Sequence, residues 1–282
     1  MLNRRHALRM LLASALATAT MGKLAAAASD SRFAQPDVRS NAVLVLDGTD
    51  NKVIFSRRAD TPLPIASITK LMTALVVMDA QQPLDEMLKV GSADRSLRKS
   101  MATRLAVGTK LTRGDLMCLA LMSSENRAAR ALGQSYPGGE AACVRAMNAR
   151  ARSLGMTHAS FADPAGLSSR NVASATDLGR LVIAASKNAR IREYSTCQSH
   201  SVRVGRTMLE FRNTNTLVRK ADWSITVQKT GYIQEAGQCL VMQAMVEGRP
   251  TIFVLLDSYG KYTRTADARR IRRWMEARAA RA

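Results

Sequence analysis

The sequence contains few acidic residues, few aromatic residues and few histidines. Asp and Glu number 22 against 42 Lys and Arg, aromatic residues make up 4% of the 282 residues, and there are three His. Scarce aromatics, with no zinc-finger spacing and no basic helix-turn-helix pattern, argue against a nucleic-acid-binding protein. The positive charge suits a polyanionic wall or membrane surface as partner, or simply a solvated basic surface.

The few histidines also argue against the commonest hydrolytic sites. His6 lies near the N-terminus, His158 in a polar turn and His200 beside Arg203. None has the setting of the base in a Ser-His-Asp triad, and no two have the helical spacing of zinc ligands. We therefore expect neither a metal nor another cofactor.

Long apolar runs are lacking too. Residues 10–21 are apolar but fall short of the roughly 20 residues that a membrane-spanning helix needs. They follow Arg4 and Arg5 and precede four alanines at 25–28, which is the pattern of a cleaved export signal. We expect residues 1–28 to be removed on export to the periplasm, by the general or the twin-arginine route. Membrane contact of the mature chain should be at most peripheral.

The rest of the chain predicts one α+β domain. Residues 29–40 are polar and contain Pro36, which predicts a flexible lead-in, and residues 41–282 can bury one core. Runs at 41–46 and 52–56 predict a hairpin, after which Pro62 and Pro64 should end strand pairing. The remaining apolar patterns predict three strands, at 224–229, 239–247 and 251–257. They also predict six helices: one that begins at 67, one at 112–122, a short one that ends at 133, one at 140–154, one that begins at 176 and one at 265–279. Both ends of the chain should share one sheet.

Four cysteines leave the pairing open. If Cys118, Cys143, Cys197 and Cys239 all pair, three connectivities exist. An oxidising compartment permits disulfides. However, Cys118 falls on an apolar helix and Cys239 in a strand, where a thiol often acts as a small hydrophobic side chain. We expect at most one disulfide.

A serine and a lysine three residues apart on a helix share one face, so the amine can act as base for the hydroxyl. Ser67 opens an apolar helix, where Lys70 enters a poorly solvated interior and burial lowers its pKa. Two further pairs lie in a charged segment and at a turn: Ser96/Lys99 and Ser258/Lys261. On this pattern alone, Ser67 as a simple helix cap is an equal alternative.

Two further motifs favour catalysis. Ser124 and Asn126 lie in a break after a buried helix, where a hydroxyl and an amide can enter a cleft. Lys229-Thr230-Gly231 occurs once, at a strand end where glycine lets a ligand backbone approach. A plain strand end is the alternative for that triplet.

Ser-x-x-Lys, Ser-x-Asn and Lys-Thr-Gly in this order are the motifs of class A β-lactamases and penicillin-binding proteins. The segments LMSSENRAARALG, DPAGLSSRNVASATDL and QKTGYIQEAGQCLVM resemble the low-molecular-mass penicillin-binding proteins, and among them the short D-alanyl-D-alanine endopeptidases of the penicillin-binding protein 7 group. The resemblance covers about residues 40–260. It implies a serine peptidase of the D-Ala-D-Ala carboxypeptidase family, with an antiparallel sheet flanked by helices and a helical subdomain.

The resemblance also implies a role for each motif residue. Ser67 would form the acyl-enzyme, Lys70 would take its proton, and Ser124 would relay a proton to the leaving amine. The oxyanion would lie between the N–H groups of Ser67 and Tyr232. Ile233 stands where many relatives have a hydroxyl residue, so the carboxylate contacts do not carry over in detail. The implied substrate-binding residues are Asn126, Lys229, Thr230, Gly231 and Tyr232.

The expected reaction is hydrolysis of D-alanyl cross-links between peptidoglycan peptides, with β-lactams as covalent inhibitors. Carboxypeptidase trimming of stem pentapeptides is the alternative, because both reactions use the same acyl-enzyme. The sequence lacks the β-rich C-terminal domain of longer carboxypeptidases, which favours the endopeptidase. A class A-like β-lactamase is disfavoured because no glutamate between Asn126 and Lys229 stands in a Glu-x-x-Leu-Asn context. A non-catalytic wall-binding module is disfavoured because every expected catalytic position is filled.

Overall fold

The main sheet joins the first strands of the described chain to its last ones. The computed structural model describes residues 35–91 and 103–280. Five strands form the sheet: β1 (Ser40–Asp47), β2 (Val53–Arg57), β9 (Ile225–Ile233), β10 (Gly237–Val246) and β11 (Arg249–Ser258). They lie in the order β2-β1-β11-β10-β9, and each neighbouring pair is antiparallel. β9 is therefore an edge strand of this sheet.

The middle of the described chain is mainly helical. Its helices are α1 (Thr69–Asp79), α2 (Arg113–Met122), α3 (Asn126–Gln134), α4 (Gly139–Ser153), α5 (Ala175–Ser186) and α6 (Ala189–Thr196), and α7 (Thr263–Ala279) follows the last strand. Three small two-stranded sheets pair β3 (Leu63–Pro64) with β6 (Val172–Ala173), β4 (Met87–Lys89) with β5 (Lys110–Thr112), and β7 (Ser199–Val204) with β8 (Thr207–Arg212). None of the described helices is both long and apolar enough to cross a membrane.

Helices cover the main sheet on both faces. Leu44 and Leu46 belong to the larger core, beneath the helical region, and Val45 belongs to a second core beneath α7. Neighbouring residues of β1 therefore belong to different cores, because successive side chains of a strand point to opposite faces of the sheet. Ile271 is buried in the second core and Trp274 packs against it, which confirms that the terminal helix packs on the sheet.

The structure confirms the α+β fold, with an antiparallel sheet flanked by helices. The predicted hairpin and the three C-terminal strands are β1, β2 and β9–β11. Pro62 lies between strands, as predicted, but the prediction was wrong for Pro64, which pairs with Val172 in the β3–β6 ladder. That ladder is only two residues long, so proline costs it little. β7, β8 and α6 were missed because their side chains are largely polar or exposed.

The packed domain starts before residue 41. Val38 is buried, and the N–H and hydroxyl of Ser40 donate to the carboxylate of Asp267 at 2.7 and 2.6 Å. The end of the expected lead-in is thus tied to α7. Residues 1–28, residues 29–34 and the Ser96/Lys99 pair lie outside the described residues.

Candidate active site

Ser67 lies in one turn of 3₁₀ helix, Ala66–Ile68, directly before α1. The sequence predicted that Ser67 begins the helix itself, but the first turn is tighter. In a 3₁₀ turn, side chains three residues apart eclipse one another, which favours contact with Lys70. Lys70 Nζ donates to Ser67 Oγ at 2.7 Å. Ser67 is not the cap of either helical segment, since the capping positions are Ile65 and Ile68.

The amine of Lys70 is buried and surrounded by three acceptors. Besides Ser67, Nζ donates to Asn126 Oδ1 at 2.8 Å and to the carbonyl oxygen of Ala165 at 2.5 Å. Burial lowers the pKa of Lys70 to about 7, although the carboxylates of Asp163 and Glu125 oppose the shift. A neutral amine has two N–H bonds and one lone pair. When the N–H bonds point to Asn126 and Ala165, the lone pair faces Ser67 and can take its proton.

The loop 163–171 supplies the Ala165 carbonyl. Asp163 Oδ1 accepts the N–H groups of Ala165 and Gly166 at 2.7 Å, and Oδ2 accepts that of Ser168 at 2.9 Å. Gly166 has φ +75°, and a Cβ there would lie 2.0 Å from the carbonyl oxygen of Ala66. Only glycine fits this contact. Asp163 therefore fixes the loop that orients Lys70, a role that the sequence did not reveal.

Ser124 and Asn126 occupy the break between α2 and α3. Ser124 has φ 62°, in the left-handed region that non-glycine residues rarely adopt. Glu125 is 5% exposed, and its carboxylate accepts the N–H groups of Arg127 at 3.2 Å and Arg104 at 3.4 Å. Glu125 thus caps α3 and ties the break to the preceding loop. This holds the Ser124 and Asn126 side chains at the cleft that Ser67 lines.

The Lys-Thr-Gly motif lies on β9, directly against the turn that carries Ser67. A Cβ on Gly231 would lie 2.9 Å from the carbonyl oxygen of Ile65 and 3.2 Å from the N atom of Ser67. Because of these short distances, only glycine at position 231 lets the strand approach the turn so closely. The neighbouring Thr230 shares a hydrogen bond of 2.7 Å with the hydroxyl of Thr214.

Lys229 lies beneath the cleft instead of lining it. Its side chain is fully buried, and Nζ donates to the carbonyl oxygen of Thr230 at 2.8 Å. Burial lowers the pKa of Lys229 well below its usual value, and the positive charges of Lys70 and Arg264 add to this effect. The cation that lines the cleft is Arg264.

The motif residues meet in a cleft of about 270 Å³, lined by Ser67, Ser124, Asn126, Leu167, Thr214, Thr230, Gly231, Tyr232 and Arg264. Arg264 comes from α7 and donates to the carbonyl oxygens of Gly231 at 2.8 Å and Cys239 at 3.3 Å. Sequence reasoning missed it because it is one of several arginines in that helix. Thr214 was missed because no motif marks it. A guanidinium and hydroxyls beside a serine nucleophile suit a substrate that carries a carboxylate.

Comparison with known proteins agrees with this arrangement. The family described as D-alanyl-D-alanine carboxypeptidase matches residues 29–260. A D-alanyl-D-alanine endopeptidase of Pseudomonas aeruginosa is 46% identical over 244 residues, which are 86% of this chain and 79% of that protein. One from Escherichia coli is 44% identical over 271 residues, covering 95% of this chain and 86% of that one. The crystal structure of the Streptomyces K15 DD-transpeptidase has a TM-score of 0.81 at 26% identity, covering 87% of this chain and 100% of that chain.

Proposed function

The chain belongs to the D-alanyl-D-alanine carboxypeptidase family of serine peptidases, and we propose that within it the protein is an endopeptidase that hydrolyses D-alanyl cross-links in peptidoglycan. Two relatives that share close to half of its residues bear the name of that activity. The expectation of a serine-type D-Ala-D-Ala peptidase is confirmed. The observation that carries the chemistry is the 2.7 Å contact between Lys70 Nζ and Ser67 Oγ inside a cleft.

In the proposed acylation step, Lys70 takes the hydroxyl proton of Ser67 while Oγ attacks the carbonyl carbon of the D-alanyl residue. The oxyanion lies between the N–H groups of Ser67 and Tyr232. Fixed backbone donors of this kind can stabilise an oxyanion strongly. Collapse of the tetrahedral intermediate breaks the C–N bond. The leaving amine of the second wall peptide takes the proton from Lys70 through the Ser124 hydroxyl. The result is an ester between the donor peptide and Ser67.

In the proposed deacylation step, water attacks the ester, the bond to Ser67 Oγ breaks, and Ser67 regains a proton. Lys70 is suited to both steps because a pKa of about 7 lets it accept and return a proton near neutral pH. Asn126 is positioned to hold a substrate amide. Thr230, with Arg264 as the cation of the cleft and Lys229 beneath it, suits the substrate carboxylate.

β-Lactams are proposed as covalent inhibitors through the same acylation of Ser67. A long-lived adduct requires that no free carboxylate activate water beside the ester. The oxygens of Asp163 accept backbone N–H groups, and those of Glu125 accept N–H groups that hold the break before α3. These contacts support a slow-deacylating enzyme over a β-lactamase. We also propose that the protein is exported to the periplasm, where its substrate lies.

Carboxypeptidase trimming of stem pentapeptides remains the second candidate because the matching family is described by that activity. The test gives equal amounts of a cross-linked dimer and a monomeric pentapeptide fragment to the enzyme, with products identified by mass spectrometry. We expect the dimer to be split faster and Ser67→Ala to lose both activities. If the pentapeptide is trimmed much faster, the carboxypeptidase alternative stands.

Two matched variants test the role proposed for Ser124. Ser124→Ala should lower turnover by about 100-fold or more, since proton transfer typically contributes that much. Ser186 has the same Ser-x-Asn spacing but does not line the active-site cleft, and its hydroxyl donates to the carbonyl oxygen of Ile183 at 3.0 Å. Ser186→Ala should therefore keep full activity.

A further inference from the structure

Two of the four cysteines face each other outside the active-site cleft. Cys118 lies in α2 and is 3% exposed, and Cys197 directly follows α6 and is partly exposed. Burial raises the pKa of the Cys118 thiol, and the neighbouring Cys197 thiol raises it further. The Cys197 thiol donates to the carbonyl oxygen of Ser199 at 3.0 Å. Both also line one pocket of about 400 Å³, together with Asp115, Tyr194 and His200.

The other two cysteines are buried in different places. Cys143 lies in α4, where its Sγ is 3.8 Å from the position that a Cβ on Gly133 would take. Cys239 lies in β10, and its thiol donates to the carbonyl oxygen of Ala236 at 3.3 Å. The structure therefore singles out one pair from the connectivities that the sequence left open.

The pocket does not have the composition of a metal site. Within residues 35–91 and 103–280, no group of three or more His, Cys, Asp or Glu side chains is arranged to hold a metal ion. The carboxylate of Asp115 is already bonded to His200 at 2.8 Å and to the hydroxyl of Thr112 at 2.7 Å. The groups of this pocket that can react with each other are therefore the thiols of Cys118 and Cys197.

We propose that Cys118 and Cys197 form a disulfide cross-link by exchange with an external disulfide. The Cys197 thiolate, the more accessible of the two, attacks a sulfur of the oxidant, and one oxidant thiol leaves. Cys118 then loses its proton and attacks Cys197 Sγ, which releases the second oxidant thiol. The two protein thiols are oxidised to one disulfide while the oxidant disulfide is reduced to two thiols.

The cross-link joins the two sides of the active-site cleft. α2 ends at Met122, directly before the break that carries Ser124. On the other side, Asn213 Nδ2 donates to the carbonyl oxygen of Cys197 at 2.8 Å. The neighbouring Thr214 bonds to Met122 and to Thr230. A covalent bond from α2 to Cys197 therefore reinforces the contact between the Ser124 break and β9.

The test counts thiols in the whole protein. Purified, fully reduced protein is incubated with oxidised glutathione, denatured, alkylated and analysed by mass spectrometry. We expect two of the four thiols to disappear and a digest to contain one peptide pair that joins Cys118 to Cys197. Four remaining thiols, a persistent glutathione adduct on Cys197, or a bond to Cys143 or Cys239 would each overturn the proposal.

Variants separate this cross-link from general oxidation. Cys197→Ser should keep its three thiols through the treatment, because the three remaining cysteines are buried. Cys143→Ala should still lose two of three thiols. Closing a loop of about 80 residues should raise the thermal midpoint of the oxidised protein by about 5 °C or more, a shift that Cys197→Ser should abolish. The acylation rate of Ser67 by penicillin remains measurable in every variant, so failure of the cross-link is distinguishable from failure of the proposed enzyme activity.

Discussion

At the scale of single residues, the site depends on how Lys70 is kept largely neutral and correctly oriented. Burial lowers its pKa to about 7, while the negative charges of Asp163 and Glu125 favour the protonated form. The pKa of the second buried amine, Lys229, is lowered by burial and then by the charge of Lys70. The general base therefore results from burial of Lys70 opposed by two nearby carboxylates. Its acylation rate should rise with pH through about 7, as the neutral form of Lys70 appears.

Asp163→Asn tests this balance. Removing the negative charge removes a stabilisation of the Lys70 ammonium, so the pKa of Lys70 should fall further. The rising limb of the acylation profile should then move to lower pH by about half a unit to one unit. Asparagine keeps one acceptor oxygen for the N–H groups of Ala165 and Gly166. The measurement is the second-order rate of acylation by a fluorescent penicillin between pH 5 and 9.

The control for this experiment is Asp222→Asn, because the Asp222 side chain is 69% exposed and pairs with Arg272 of the terminal helix. The Asp222→Asn variant should leave the rising limb of the pH profile of acylation at the same pH. A purely structural role for Asp163 would lower the rate at every pH without moving the limb. A limb that stays in place or moves to higher pH contradicts the electrostatic argument.

At the scale of elements, the site exists because β9 passes closely over the turn that carries Ser67. Gly231→Ala should push these elements apart, since its Cβ would lie 2.9 Å from the carbonyl oxygen of Ile65. Backbone atoms cannot swing aside as a side chain can. We expect acylation to slow by about 10-fold or more, because an error near 1 Å in the geometry of a site can cost about 100-fold. Circular dichroism should remain that of a folded protein.

Gly91→Ala is the matched control for that variant. The atom that its Cβ would meet, at 2.8 Å, is the end of the flexible Gln134 side chain. Gly91→Ala should therefore acylate within about twofold of the wild type, since surface substitutions away from special features cost little. Equal slowing in both variants would mean that the loss at Gly231 reflects general destabilisation.

The elements also show what could be predicted from the sequence. β1, β10 and β11 are apolar and buried on both faces, so their signal is strong. β7 and β8 were missed because they form a separate hairpin with mostly exposed side chains. Motif order could place Ser67, Lys70 and Ser124 in one site because chemistry restricts those residue types. Arg264 and Asp163 could not be found in this way, because their positions depend on how distant segments pack.

At the scale of the whole molecule, the remaining feature is the excess of positive charge. Without residues 1–28 the chain still has 38 Lys and Arg against 22 Asp and Glu. Peptidoglycan peptides carry carboxylates, so the charge should attract the enzyme to intact wall at long range. Salt screens charges that are more than about 8 Å apart at physiological ionic strength. The attraction to the wall should therefore weaken as salt is added, whereas contacts inside the cleft should change little.

We therefore expect release of soluble products from intact wall to fall several-fold between about 0.05 and 0.5 M NaCl, because the screening length shrinks over that range. Cleavage of a small cross-linked dimer should fall much less, since it presents few charges and binds in the cleft. Acylation of Ser67 by penicillin, measured at each salt concentration, controls for effects of salt on folding and on Lys70. If wall and dimer cleavage fall in parallel, the salt acts on the active site itself. The basic surface would then be a solvated exterior that takes no part in substrate capture.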